Sequence, residues 1–514
     1  MTQNRRIVLN IVATYGRSVF ALACGLFTGR WVLMSLGKVD YGLYGVVGGL
    51  AVFISFFNNV LATAVSRFYA YSIGKAKLMT DEREGVEYCR AWFNTALIIH
   101  TTVPVLLVAV GYPIGVWMIR NFLTIPPDKI VPCVWVFRFV CLSCFCGMVN
   151  VPFQALYTAK QLIAELTVYG FCQSLVNVCF LYFMVTHPGD WLVKYAAWAC
   201  LVSIVPQLII CFRAFIVFPE CRIRARYWMP SRRFVELGVF AFWQMFGLLG
   251  HTLRGQGIAI VVNKYFGPSV NAAMSIANQV NAQSTSLVAA MKGAFTPAIT
   301  QMCGSSEYEL MRKMAFRSCK FGLLLALLFL IPLAVELEEV LLLWLRTPPP
   351  YTCGLCWCMM IAMTIDKSSI GQMIVINATG KIAGYQFVSG ILMIMSLPLA
   401  WLFAVLDMGV YAMGGAIVFA MLGCSIGRIV FARTQAKMRV RDWFGKIIMP
   451  IILVAMLSGA IGVLPQLFLE PSFIRVIIST CCSAPVFCLL SWFFVIDSEE
   501  RETVLKFIKG KFRK

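Results

Sequence analysis

Residues 7–37 read IVLNIVATYGRSVFALACGLFTGRWVLMSLG, one apolar run behind the polar start Met1 to Arg6. The run is far longer than the roughly 7–15 apolar residues of a signal-peptide core, and it exceeds the roughly 20 needed to cross a bilayer. It therefore predicts a first span that stays in the protein. Ala21-Leu22-Ala23-Cys24 has a faint look of a lipoprotein cleavage site, but Leu is missing three places before the Cys and Arg17 interrupts the apolar stretch. The run carries Arg17 and Arg30 inside it and closes on Gly37.

The rest of the chain repeats that pattern. Of 514 residues 60% are hydrophobic and 13% charged, against about 25% charged in a soluble protein, which excludes a soluble globular fold. The apolar supply suffices for about fourteen spans. Apolar runs between polar breaks place them near 8–36, 45–73, 91–119, 131–158, 161–186, 191–216, 236–265, 272–303, 318–345, 353–379, 382–406, 409–433, 446–468 and 472–496. The fold class expected is an all-α polytopic membrane protein.

A balance of 44 Lys plus Arg against 23 Asp plus Glu, or +21, would suggest nucleic acid in a soluble domain. Here the sidedness of the cations matters instead. With the N-terminus inside, 29 of them fall in the inner connections: Arg5 and Arg6, Lys75 to Arg90, Lys160, Arg213 to Arg233, Arg312 to Lys320, Lys381, Arg433 to Lys446, and Arg501 to Lys514. Seven fall outside: Lys38, Arg120, Lys129, Lys194, Lys264, Arg346 and Arg475. Anionic lipids and the insertion machinery hold cations on the cytoplasmic side, so both termini are expected there.

Spans one and two look like copies of spans seven and eight. Each pair opens on a double Arg (Arg5-Arg6, Arg232-Arg233), breaks at a glycine (Gly37, Gly267) and ends 37 residues later at Gly74 or Gly304. Two pseudo-symmetric six-helix lobes follow, 1–220 and 221–440, then two further helices in 441–497 and a basic amphipathic tail, 498–514, lying on the anionic leaflet. Repeated halves place a central cavity at their interface. No external loop exceeds about a dozen residues, too short to assemble the carboxylates or histidines of a glycan-assembling enzyme, so the chain is read as no enzyme.

Eight cations lie within spans: Arg17, Arg30, Arg67, Arg138, Arg254, Lys292, Lys367 and Arg428, with Glu165 and Asp366 as the deep acids. A charge at mid-bilayer costs roughly 2.5–3.5 kcal/mol even on the mild insertion scale, so most cannot face lipid. Arg30, Arg67 and Arg428, nearest to span ends, fit snorkelling anchors as well as a cavity. Arg17, Arg138, Arg254, Lys292 and Lys367 either line a water-filled cavity or pair with Glu165, Asp366 or backbone carbonyls. In the cavity reading the lining is net positive and selects an anion, and guanidinium forks suit phosphate oxygens. Glu165 and Asp366 are then the candidates for coupling to an ion, proton or sodium.

Asn271, Asn278, Thr285 and Lys292 recur every seven residues, with Asn281 on the same side, and Asn59, Thr63 and Arg67 form a shorter stripe. A helix presents each set on one face, as a polar cavity wall or as hydrogen-bonding glue between helices. The paired patterns Cys141-x-x-Cys144-x-Cys146 and Cys353-x-x-Cys356-x-Cys358 lie in apolar runs without nearby His and predict no metal. No phosphate-cradling glycine loop is present, so no cofactor is expected.

Two groups of motifs carry a family resemblance. The first is Leu36-Gly37-x-x-Asp40-Tyr41-Gly42-Leu43-Tyr44 with Val46-Val47-Gly48-Gly49 and Ser66-Arg67-Phe68. The second is Asn263-Lys264-Tyr265-Phe266-Gly267-Pro268-x-Val270-Asn271-Ala272-Ala273 with Gln279-Val280-Asn281, then Leu343-Trp344-Leu345, Pro350-Tyr351-Thr352, Ala378-Thr379-Gly380-Lys381 and Tyr385-Gln386. Together they resemble the Wzx-like polysaccharide and O-antigen flippase branch of the multidrug/oligosaccharidyl-lipid/polysaccharide (MOP) exporter superfamily, in its Bacteroidetes-type members. The resemblance implies two six-helix lobes opening alternately to either side, and outward transport of a polyprenyl-diphosphate-linked oligosaccharide for surface polysaccharide biosynthesis. Its partners would be that substrate, membrane lipids and a coupling ion, with no nucleic acid, and the protein would act as a monomer. Met274 departs from the basic residue that similar sequences carry there. A drug/cation antiporter of the same superfamily is the alternative, but the first and seventh spans lack the mid-span acid it needs; a membrane enzyme of glycan assembly is the other.

Reporter fusions after Lys160 and Arg226 are expected to read cytoplasmic, and fusions near Asp128 and Asp190 external. An external reading for 222–233 would overturn the whole topology.

Overall fold

The computed structural model describes residues 16–502 apart from 18–19, 21–23, 25–27, 29–30, 33, 38–39, 42, 46, 49–51, 124, 188 and 229–231. Arg5, Arg6 and Arg30, most of the first expected span and the tail beyond 502 lie outside the described residues. Every regular element among those described is helical. Ten helices are long and apolar enough to cross a membrane, or eleven if one bent pair counts as a single span. The expected total of fourteen is therefore not reached among the described residues.

Contacts divide the chain into two compact units, one running to Ala241 with Gly304–Ser306, the other comprising Phe242–Cys303 and the chain from Glu307. In the first unit the helices are α1 (Val52–Ala76), α2 (Glu82–Trp117), α3 (Ile130–Ala159), α4 (Ile163–Thr186) and α5 (Leu192–Val217). Asp81 stops α2 from fraying: its carboxylate accepts from Arg83 N at 2.8 Å, and Glu82 and Glu84 complement the helix start. α3 packs against α1, α2 and α5. Buried Asn94 of α2 folds the 222–224 loop onto this unit, accepting from Arg224 N at 2.8 Å and donating to Arg222 O at 3.1 Å.

The second unit takes residues Phe242–Cys303 of α6 (Arg232–Gly304), a helix broken at Gly267, whose φ of 85° and ψ of 176° are not helical. Gly37, its counterpart in the proposed repeat, has φ 74°, a conformation that side chains with a Cβ avoid. There follow α7 (Tyr308–Val335), α8 (Leu337–Leu345), α9 (Thr352–Ser368), α10 (Ile370–Thr379), α11 (Ala383–Val405), α12 (Tyr411–Ala436), α13 (Val440–Leu467) and α14 (Phe473–Phe494). The segment expected as one span at 353–379 is thus two helices, α9 and α10, meeting at 48°. The span expected at 318–345 is likewise α7 followed by the separate α8.

The last two helices pack against each other and against α7, and ion pairs fasten α7 to α14 and the segment after it at two levels. Below, nearly buried Lys320 of α7 pairs with Asp497 (2.8 Å) and Glu500 (2.9 Å), while Lys313 and Arg317 hold Glu499, whose carboxyl they keep below its usual range. Above, Glu336, just past the end of α7, is fully buried and accepts from Arg475 at 3.0 and 3.2 Å and from Ser479 Oγ at 2.7 Å. Removing one partner of a buried pair strands the other's charge. Among the described residues, Glu336→Ala leaves Arg475 only the longer ion contact to Glu339 at 3.6 Å. It should therefore lower stability by roughly 3 kcal/mol, and Glu336→Leu with Arg475→Leu by clearly less. Thermal melting of the detergent-solubilised protein reads both, and equal losses would show that Arg475 is not left stranded.

Candidate functional site

The site grows from the bend between α9 and α10. Breaking a helix inside a membrane frees carbonyls that no water can satisfy, and this break is matched donor by donor. Ile365 O accepts from Ser368 Oγ at 2.7 Å, Asp366 O from Arg428 Nη1 at 3.0 Å, and Ser368 O from Trp443 Nε1 at 2.8 Å. Lys367 O takes the N–H of Ser369, the residue at the bend. Arg428 of α12 is the centre of this arrangement. Only 3% exposed, it pairs with Asp366 Oδ1 at 2.7 Å and donates from Nε to Tyr385 OH at 2.9 Å and from Nη1 to Ser369 Oγ at 3.3 Å. Ser425, one turn earlier on α12, donates to the same Ser369 hydroxyl at 2.9 Å. The remaining oxygen of Asp366 holds Lys367 Nζ at 2.6 Å.

Arg428 is therefore no snorkelling anchor, which was one of the two roles its nearness to a helix end allowed. Lys367 is buried and committed to Asp366, the pairing alternative rather than the cavity one. Asp366 itself is neutralised twice over.

Arg254 differs. It lies on α6 in register with Gly247, Gly250 and Gly257, at spacings that put all four on one helix face. That face meets α11 at close range: a Cβ on Gly250 would fall 2.9 Å from Gly390 O, and one on Gly257 2.5 Å from a methyl of Leu397. Small residues thus bring this stretch of α6 against α11, and Arg254 lies within electrostatic range of Asp366 and Cys424. Among the described residues its Nη1 is buried without a hydrogen-bond partner. Lys292, in the second half of α6, is half-buried, feels Asp366, Lys367 and Arg428, and makes no side-chain ion pair among the described residues. His251, one turn before Arg254, sits in the same field. Below the glycines, Gln386 donates to Gln244 (3.0 Å) and Gln244 to Asn377 (3.1 Å), a polar ladder joining α11, α6 and α10.

Elsewhere the candidate residues separate. Asn271 and Asn281 are half-buried, the former with an unpartnered carbonyl oxygen; Thr285 is half-buried and Asn278 exposed. In the first unit Arg17 is exposed with its guanidinium against Gly170 of α4, where a Cβ would fall 2.6 Å from Cζ. Arg67 lies over the rings of Phe68, Tyr71 and Phe240 at 4.5 to 5.3 Å. Asn59 and Thr63 are exposed, the Thr63 hydroxyl turned back to Asn59 O at 2.9 Å. Arg138 is exposed, donating to Tyr112 OH at 2.8 Å and stacking over Trp135 at 4.6 Å, an aromatic-anchored cation. Glu165 is not the deep acid expected. It lies in the first turn of α4, paired with Arg213 and accepting from Tyr169 OH at 3.0 Å.

The second unit thus gathers four cations, Arg254, Lys292, Lys367 and Arg428, around one carboxylate, and it does so in a fold of known kind. The fold matches those of solved MATE transporters. A crystal structure of MATE in its bent conformation is 16% identical, with a TM-score of 0.68 over 85% of this chain and 96% of that one. An outward-facing multidrug resistance MATE family transporter of the MOP superfamily is 14% identical at TM-score 0.65, covering 85% and 96%. A MOP superfamily transporter from Pyrococcus furiosus, described as having a binding pocket of reverse polarity that suggests a different function, is 14% identical at TM-score 0.67, again over 85% and 96%. The MatE family model matches residues 245–349, which include Arg254, Lys292 and the break at Gly267. No curated protein matches the chain.

In a cysteine-depleted background, Arg254→Cys and Lys292→Cys are expected to react with a membrane-impermeant thiol reagent and Lys367→Cys to be protected. Reaction at 367 as fast as at 254 would place both on the same wet surface and undo the distinction.

Proposed function

We propose that the chain is a transporter of the MOP type that moves a polyprenyl-diphosphate-linked oligosaccharide outward across the bacterial inner membrane by alternating access, as a monomer with both termini in the cytoplasm. The observation that carries this reading is Arg254. A guanidinium whose buried Nη1 has no partner among the described residues, sharing with Lys292 the field of one carboxylate that two other cations already neutralise, lacks an anion and not a cation. In a low-dielectric setting an oxyanion there gains several times what it would in water. A diphosphate supplies two such charges, which hydrocarbon alone would refuse. The Asn271 to Thr285 stripe offers hydroxyl and amide partners to sugars. The opposite polarity reported for one transporter of this fold fits a scaffold whose pocket charge is adjustable.

The alternative, a drug/cation antiporter, draws on the likeness to a multidrug transporter and on the family match. It needs a carboxylate free to exchange a cation for a proton or sodium. Asp366 and Glu165 are both held by cations, which favours the anionic substrate.

In a strain lacking this gene, Arg254→Gln with Lys292→Gln should reduce surface glycan to less than about a tenth at equal membrane protein level, while Arg254→Lys, keeping charge but losing the fork, should retain a substantial part. Full glycan export by the double variant would sink the diphosphate role. Resistance to a cationic dye conferred by the unaltered protein, with surface glycan unaffected by its deletion, would establish the antiporter.

A further inference from the structure

A second charged site lies away from this cluster, where three spans end together. α7 begins at Tyr308, α12 ends at Ala436 and α13 begins at Val440. Between them opens a cleft of about 490 Å³ lined by Arg312, Lys313, Lys437 and Arg439 against Glu309 and Asp442. It adjoins a second cleft of about 210 Å³ that shares Lys313, Phe316 and Asp442 and adds Arg317, Lys320 and Lys446 together with Asp497 and Glu500, the carboxylates that hold Lys320.

The carboxylates here are already engaged. Glu309 pairs with Arg312, which also donates to Ala436 O at 3.1 Å, and Asp442 pairs with Lys446 at 3.0 Å; Lys313 is held by Glu499 from outside the cleft. Lys437 and Arg439 are exposed and have no carboxylate partner among the described residues. Lys437 takes a left-handed conformation, φ 53°, and its N–H closes on Ala432 O, which turns the chain off the end of α12 and onto the cleft's rim. By construction the cleft sits at the level where spans meet water, the level of lipid headgroups. Phe316 lines both clefts and Ile447 the second, giving them an apolar flank, and Val440, Phe444 and Met449 are exposed apolar side chains elsewhere on α13.

We propose that this cleft binds the phosphodiester headgroup of an anionic phospholipid, with Lys437 and Arg439 as its principal ligands and the acyl chains lying along the exposed face of α13. Basic pockets between spans suit such headgroups, and Arg439 can fork onto two phosphate oxygens. A free phosphate would use the cations but leave the apolar flank unexplained, which favours the lipid as source.

The test is lipid retention by the full-length protein, read by native mass spectrometry after exchange in detergent against phosphatidylglycerol or phosphatidylcholine. Phosphatidylglycerol should be retained preferentially. Lys437→Ala with Arg439→Ala should weaken its retention by about 25-fold, taking about fivefold per cation at a membrane surface, while the charge-preserving Lys437→Arg with Arg439→Lys should keep it. Lys381→Ala with Arg433→Ala, exposed cations of the same unit that line neither cleft, should stay within about twofold. Undiminished retention in the alanine pair, or an equal loss in the control pair, would overturn the site. Displacement of phosphatidylglycerol by glycerol phosphate at equal concentration would overturn the lipid as its occupant.

Discussion

The contact on which the second unit depends is Arg428 with Asp366. In hydrocarbon an unpaired charge or carbonyl has no solvent to fall back on, so a helix can break only where side chains replace the lost backbone bonds. Arg428 supplies two replacements at once: its Nη1 reaches the freed carbonyl of Asp366 and the hydroxyl at the bend, while the same guanidinium neutralises the Asp366 carboxylate. The bend at α9 and α10 is thus fixed by α12 from one side, with Tyr385 of α11 holding the guanidinium in plane and Trp443 of α13 capping Ser368. Three helices converge because one helix is interrupted.

That arrangement sorts the intramembrane cations into two kinds. Lys367 and Arg428 are structural charges, each with its counter-charge within hydrogen-bond distance. Arg254 and Lys292 are not, and each reaches its place through backbone that carries little bulk: Arg254 through the glycine face at 247, 250 and 257, Lys292 beside Met291 and Val288, which pack on Gly322 of α7. Close approach of helices usually serves packing. Here it also delivers a guanidinium to a position where protein acceptors are short.

Much of this could be read from the residues alone. The all-helical membrane fold followed from composition and run lengths, and the breaks at Gly37 and Gly267 were legible because only a glycine fits a left-handed turn between two long helices. Arg254 and Lys292 stood out because charge in an apolar run is costly wherever the chain then goes. What stayed hidden depended on partners far apart in sequence. Arg428 fitted an anchor as well as a cavity residue because distance to a helix end is a local property, while its partners lie 43 to 62 residues away. Glu336 and Arg475 are separated by 139 residues; only the oddity of an acid in the apolar stretch Ala334-Val335-Glu336-Leu337 hinted at a buried pair. Hydropathy also merged α9 with α10, because a bend satisfied by side chains leaves the apolar run unbroken.

The same separation bears on how the proposed site could release what it binds. Were Asp366 free, a proton arriving there would change the charge around Arg254 directly. With Asp366 bracketed by Lys367 and Arg428, protonation must first displace two cations from short contacts, at a cost of the order seen when buried pairs are broken, roughly 3–5 kcal/mol. The carboxylate is therefore poorly placed as a proton carrier and well placed as a fixed counter-charge. It holds Lys367 and Arg428 in the protein's own structure and leaves the unmatched positive field to Arg254 and Lys292. On the proposed reading, an anion bound there breaks no ion pair of Arg254 or Lys292 among the described residues, so its departure turns on the geometry of α6 and α11 rather than on a titration, and the glycine-lined contact between those two helices is the surface on which such a change would act.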